Sequence, residues 1–317
     1  MILIDGERGF NFYEFKLGFR IGTVKKLSFR IGADRGLPFL LNHLTFVIQL
    51  KSMSAESVFI LPQPVRSFLV DQLPVQIYAK QSHLATAAAS IVNDYLCRVI
   101  QTQGSAAVIL ATGNSQIQFL QELVALRGVD WSRVTLFHMD EYLGITADHS
   151  ASFQNYMRKR VEQLVSPRFF HYLDGDCLLP FDECQRYSNL LKAQPIDLCC
   201  LGVGENGHLA FNDPPVAQID DPHWVKLVKL DDACKMQQVK EGHFPNLQTV
   251  PPYAFTLTLP ALCSAKKMIC LSPEKRKAIA IRSALQGPIT SACPASVLRQ
   301  NPQALLMLDT DSAELLT

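Results

Sequence analysis

Apolar and polar positions along the chain alternate between two periods, and from about residue 74 onward they mark out strand–helix units. VQIYA (75–79) reads as a strand, and apolar residues at helical spacing follow near 83–101. AAVILA (106–111) is a continuous apolar run followed by a helical pattern near 116–126, and VTLFHM (134–139) is a second run followed by a loop and a helix near 151–165. IDLCCLGV (196–203) suits a strand covered on both faces. TLTLPAL and MICLS are shorter strand or strand–helix pieces, a helix near 273–286 comes next, and ALLMLD (304–309) closes the series. Continuous apolar strands alternating with helices predict an α/β fold with a mostly parallel sheet and helices on both faces. Ligands in such folds bind beyond the carboxyl ends of the strands, so those turns carry the candidate chemistry.

Residues 1–52 depart from this pattern. Four Lys and four Arg face two Asp and two Glu there, and seven of the eighteen Phe are interleaved with Gly and basic residues without lasting periodicity. One interpretation starts the functional protein at Met53. The other keeps the segment as an extension docking on a partner or a membrane surface, which basic and aromatic content permits. The first is preferred: 1–52 is set apart as an extension with no catalytic residue, and 53–317 is expected to form a single domain.

Composition narrows the class. The 317 residues are 48% hydrophobic with net charge +1 and mean hydropathy +0.09. That is ample for a large core and offers no basic surplus of the kind a nucleic-acid binder shows. No apolar run approaches the roughly 18 residues that span a bilayer. MILIDGERGF lacks the basic start and apolar run of a secretory leader, so a cytoplasmic location is the default. Nine cysteines without a CxxC pair, two of them adjacent at Cys199 and Cys200, point to reduced thiols rather than a disulfide framework or a metal site.

Three strand ends and one helix start concentrate the polar chemistry. LATGNSQIQFLQEL (110–123) runs from a strand through Thr112, Gly113, Asn114 and Ser115 directly into a helix. Free N–H groups and the helix dipole make such a turn an anion site, although an ordinary cap by Asn114 or Ser115 also fits. VTLFHMDEYLG (134–144) ends its strand on two adjacent carboxylates, Asp140 and Glu141. Either could move a proton next to a carbonyl if its pKa were brought toward working pH, or serve as a loop acid or N-cap.

IDLCCLGVGENGHLAFNDPP (196–215) contains Gly202, Gly204 and Gly207 in a GxGxxG spacing, but HLAFNDPP cannot continue as the helix a dinucleotide site requires. The glycines instead suit a loop folded tightly around a ligand, with His208 at its rim and Asp213 nearby. In SPEKRKAIAIRSALQG (272–287), Ser272 suits an N-cap, Pro273 a first helical position and Gly287 a helix end. Lys275, Arg276 and Lys277 crowd the first turn, where the dipole disfavours cations unless an anion is near. For Lys275 and Arg276 a solvated basic face is the simpler interpretation.

Together these segments resemble the glucosamine-6-phosphate deaminase family, within the group that also holds 6-phosphogluconolactonases. The similarity spans roughly residues 74–317 and keeps its order along the chain. LATGNS is similar to the family's phosphate loop, FHMDEYLG to its MDEY segment, GVGENGHLAFNDP to its GxxDGHxAFNEP segment, and EKRKAIAI to the stretch with a phosphate-binding lysine, which falls on Lys277. GHLAFNDP and MDEY favour the deaminase branch over the GHTxSLFP and DER of the lactonases.

The resemblance implies a Rossmann-like three-layer sandwich acting on a phosphosugar. In it, His208 opens the sugar ring, Asp140 shuttles a proton between C2 and C1, and ammonia leaves from C2, without organic cofactor or metal. It places Asn206 and Asp213 behind His208, and Thr112, Gly113, Asn114, Ser115, Glu141, Gly207 and Lys277 on the sugar and its phosphate. Family members are often oligomeric, so a homo-oligomer is open to this chain; neither nucleic acid nor membrane is implied as a partner. Two positions depart from the family: Asn206 stands where the family has Asp, and Asp213 where it has Glu. The stretch 226–245 diverges, and no counterpart of the family's further phosphate-contacting arginine is found. Lactone hydrolysis with His208 activating water, and a phosphosugar sensor without turnover, are the alternatives.

Overall fold

A computed structural model describes residues 61–316 together with two short strands in the N-terminal region. The chain divides into two units, 1–58 and 59–317. In the first, strands β1 (Phe12–Phe15) and β2 (Phe29–Gly32) pair antiparallel, with Phe12 opposite Gly32. The expectations about Met53 and the remainder of residues 1–52 lie outside the described residues.

In the second unit, β3 (Arg66–Val70) and β4 (Leu73–Tyr78) form an antiparallel hairpin and lead into α1 (Gln81–Gln103). Then come β5 (Ala106–Leu110), α2 (Ile117–Ala125), β6 (Val134–His138), β7 (Asp140–Tyr142), α3 (Phe153–Met157), a π-helical turn at Arg158–Glu162, and α4 (Gln163–Val165). The helix expected over 151–165 is therefore one path interrupted by a wider turn. Next are β8 (Phe169–His171), α5 (Pro180–Lys192), β9 (Leu198–Leu201), β10 (Val225–Lys229) and α6 (Asp232–Lys240). The chain ends with β11 (Tyr253–Leu257), α7 (Leu259–Cys263), β12 (Met268–Ser272), α8 (Ala278–Gln286) and β13 (Ala304–Asp309).

Eight strands form the main sheet in the order β3-β4-β13-β12-β9-β5-β6-β8, parallel except for β3. Because successive side chains point to opposite faces, each central strand feeds two cores. Ile109, Phe137, Cys199, Leu201, Cys270 and Leu306 enter the core that takes residues of α5, α7 and α8. Val108, Leu110, Leu136, Cys200, Ile269 and Met307 enter the one packed against α1 and α2. This is the three-layer α/β sandwich expected from the sequence, and double burial is why its strands read as unbroken apolar runs. All nine cysteines are free thiols, four of them (Cys199, Cys200, Cys263 and Cys270) buried or half-buried in this sheet region. Among the described residues no helix is long and apolar enough to cross a membrane.

A second sheet, ordered β10-β11-β7 and antiparallel, stands beyond the carboxyl ends of the main strands. The chain passes from β6 through Met139 into β7, where Asp140 pairs with Thr256 and Tyr142 with Ala254. This sheet has its own core, in which Tyr142, Phe153, Phe211 and Phe244 meet residues of α6. The apolar pattern marks it only in part, through TLTLPAL at the end of β11, because its strands are short.

Candidate active site

The carboxyl ends of β5, β9 and β12, adjacent in the main sheet, open on a cleft of about 630 Å³. Thr112, Gly113, Asn114 and Ser115 form one wall, Asp140 and His208 face it, and Lys277 closes the side below β12.

After β5 the chain turns through Gly113, whose φ of 102° sits in a region that L side chains avoid, into a single 3-10 turn and then α2. No side chain caps either helical start. The simple capping explanation for Asn114 and Ser115 therefore fails, and the turn presents its polar groups to the cleft.

Asp140 is 7% exposed, and its Oδ1 is buried without a hydrogen-bond partner. Burial, and then the neighbouring Glu141 charge, push its pKa well above the usual carboxylate range. Glu141 points the other way, as alternation along a strand requires. Its carboxylate accepts from the Ser152 hydroxyl at 2.8 Å and from the N–H groups of Tyr142, Phe153 and Gln154 at 2.9, 3.1 and 2.8 Å. Burial pushes its pKa up to about 7 against these bonds. Glu141 thus fastens the start of α3, with its carboxylate turned to that helix and away from the residues that line the cleft. His138, two residues before Asp140, accepts the Leu173 N–H through Nε2 at 2.8 Å, and burial lowers its pKa to about 3. It is a neutral structural histidine.

The loop after β9 folds back on itself: Gly204 N–H donates to the His208 carbonyl at 2.9 Å, and Gly207 N–H to the Gly204 carbonyl at 3.1 Å. A Cβ on Gly204 would overlap the imidazole of His208, so the ring lies flat on bare backbone. Gly207 has φ of 86°, and a Cβ there would stand 2.8 Å from Cys293 Sγ. Gly207 therefore shapes the turn, and its lack of a side chain is what lets Cys293 approach.

Behind the ring, His208 Nδ1 lies 2.8 Å from Asn206 Oδ1 and 2.9 Å from Asp213 Oδ1. Two oxygen acceptors at Nδ1 favour the tautomer with its proton there, which leaves the Nε2 lone pair unprotonated. Burial alone would raise the Asp213 pKa, but the bonds from His208 and Asn206 hold it below the usual range, helped by the Cys234 thiol beside it.

Lys277 sits in a 3-10 turn, 3% exposed, with no ion pair or side-chain hydrogen bond to any described residue. Burial first, and then Arg276, lower its pKa to about 8. Its two neighbours have other roles. Lys275 is 74% exposed and pairs with Glu314, as a solvated basic face should. Arg276 is not on such a face: it binds Glu205 at 2.9 Å, Glu241 at 2.6 Å and Glu274 at 2.6 Å at the rim of the cleft. Ser272 is not an N-cap but the last residue of β12, its Oγ buried without a partner.

Further lining comes from the diverged stretch and from two phenylalanines outside it. α6, capped by Asp231 through the Cys234 N–H at 2.6 Å, brings Gln237 and Gln238 to the cleft, and Glu241 and His243 follow it. Phe153 and Phe211 stack at 5.7 Å beside them. Nothing in composition or spacing signals Gln237, Gln238, Glu241, His243 or Phe153, whereas Phe211 belongs to the HLAFNDPP segment.

Comparison with known proteins identifies the family. The family model for glucosamine-6-phosphate isomerases/6-phosphogluconolactonase matches residues 79–307. The chain is 33% identical over 208 residues to a glucosamine-6-phosphate deaminase of Exiguobacterium sibiricum, covering 66% of this chain and 80% of that protein. It is 35% identical over 210 residues to one of Listeria monocytogenes, covering 65% and 86%. Among solved structures, a monomeric glucosamine-6-phosphate deaminase superposes with a TM-score of 0.71 at 27% identity, over 76% of this chain and 99% of that one. A 6-phosphogluconolactonase of Shewanella baltica shares the fold, with a TM-score of 0.61 at 19% identity over 76% and 100%. The chain belongs to the glucosamine-6-phosphate isomerase/6-phosphogluconolactonase family.

Proposed function

We propose that the chain converts glucosamine 6-phosphate and water to fructose 6-phosphate and ammonia. The observation that carries this is Asp140: a buried carboxylate with an unpartnered oxygen, sharing a cleft with His208 and with the buried Lys277, which pairs with no acid among the described residues.

The phosphate occupies the Thr112–Ser115 turn, where backbone N–H groups, two hydroxyls and the Lys277 ammonium offset its charge. His208 Nε2 takes the anomeric hydroxyl proton and returns one to the ring oxygen, opening the pyranose. Asn206 and Asp213 hold the ring and stabilise the imidazolium that forms. Asp140 removes the C2 proton and delivers it to C1 while one amine proton passes to the C1 oxygen, which leaves an imine at C2 and a hydroxyl at C1. Water adds to that imine, ammonia departs, and the ketose remains. The raised pKa of Asp140 suits this step, since a base closer to working pH is a better acid when it gives the proton back.

We place this chemistry within residues 53–317, with no part for residues 1–52. A cytoplasmic location accompanies it, because phosphorylated sugars are intracellular metabolites. The described lining comes from one chain, so the mechanism serves a monomer and a homo-oligomer alike. AFND in place of a lactonase-type SLFP weighs against lactone hydrolysis.

Incubation with glucosamine 6-phosphate should release ammonia and fructose 6-phosphate in equal amounts. Binding without product would overturn the deaminase and leave a phosphosugar sensor, the alternative that Asn206 favours.

A further inference from the structure

Gln116 follows the phosphate turn but does not line the cleft. It is 1% exposed, and its side chain is wedged between three elements. The amide nitrogen donates to Ser115 Oγ at 3.2 Å and faces the Leu271 carbonyl at the end of β12 at 3.5 Å. A Cβ on Gly202, at the end of β9, would stand 3.0 Å from the same nitrogen. The other amide atom, Oε1, is buried with no partner.

The orientation of the amide follows from its surroundings. The Leu271 carbonyl, an acceptor only, favours the arrangement with the N–H side towards it. An orphaned buried acceptor is costly, and an apolar side chain of the same length would avoid that cost. What such a side chain could not do is donate to Ser115. Once Ser115 Oγ accepts from Gln116, its own proton is directed elsewhere, and the open direction is the cleft that Ser115 lines.

We propose that Gln116 is a positioning residue that fixes the Ser115 hydroxyl as a donor to the substrate's phosphate. It acts through Ser115 and touches no substrate. The proposal rests on the phosphosugar assignment of the cleft and adds a polarised serine to it.

The test is binding of inorganic phosphate to the full chain by calorimetry. Gln116→Met, which keeps length and volume, should leave the melting temperature no lower and weaken phosphate about 3- to 10-fold, the loss of one hydrogen bond. Gln116→Asn, which withdraws the amide by one methylene, should weaken it in the same direction. In a Ser115→Ala background the Gln116→Met effect should vanish, since the two residues act as one unit. Full phosphate affinity in Gln116→Met, or an undiminished loss in the Ser115→Ala background, would overturn the proposal while leaving the phosphate site intact. A wild-type chain that does not bind phosphate would overturn the site assignment itself, and this inference with it.

Discussion

The Asn206 amide nitrogen donates to Asp213 Oδ1 at 2.7 Å, and that same oxygen lies 2.9 Å from His208 Nδ1. Asn206 is therefore not a lost carboxylate but a donor matched to Asp213: two ionised carboxylates could not share this spacing in a buried site. The pair keeps one full negative charge behind the histidine. Asn206→Asp adds a second carboxylate beside it. The pH–rate profile should change, and the chain should unfold at lower denaturant as the two carboxylates repel. An unchanged profile would show that Asn206 does not govern the histidine.

Asp140→Asn removes a buried carboxylate whose folded pKa is raised. Such a group destabilises the fold as pH rises through its unfolded and then its folded pKa. The variant should therefore be more stable than wild type, by a margin larger at pH 8 than at pH 4. Turnover should fall by roughly 10²–10⁴-fold. Deuterium exchange at C2 in heavy water checks the assignment, and exchange that survives would remove Asp140 as the base.

Lys277 has a pKa of about 8 in the free protein, lowered by burial. Its ammonium is present below that pH and lost above it, so affinity for inorganic phosphate should decline as pH rises past 8. Lys277→Met should weaken phosphate about 10- to 100-fold at pH 7, the range for a charged hydrogen bond, and should flatten the decline. A decline that persists in the variant would assign it to another group.

Gly204→Ala places a methyl group where the imidazole of His208 now lies. The ring must shift, and misplacement by about 1 Å costs roughly 10²-fold in rate. Ring-opening turnover should drop while phosphate affinity stays near wild type. Equal losses in both would mean that the whole loop had rearranged.

Glu141→Gln exchanges a carboxylate that accepts four hydrogen bonds for an amide that sets an N–H against one of those donors. Stability should fall by about 1–3 kcal/mol, with KM essentially unchanged. A raised KM at unchanged stability would return Glu141 to the substrate site.

The sandwich and the line of the cleft were legible in the sequence because both are local in origin. A strand covered on two faces must be apolar at every position, so the runs at 106–111, 134–139, 196–203 and 304–309 announced themselves, and a parallel sheet then directs ligands to the turns that follow. Asp140, His208 and Lys277 stand at three such turns. The sequence could not say which way adjacent side chains face at the switch from β6 to β7, so Asp140 and Glu141 read alike until the second sheet separated them. Arg276 read as a surface cation because its three carboxylates come from positions 205, 241 and 274, and Gln116 was silent because its partners include a carbonyl 155 residues away. Helix α6 and the residues after it join the cleft only through packing of the small antiparallel sheet, a long-range contact with no periodic signature. Sequence by itself determined the scaffold and the residue types at its strand ends. Tertiary structure decided which of those side chains reach the cleft, because burial and partner choice depend on segments far apart along the chain.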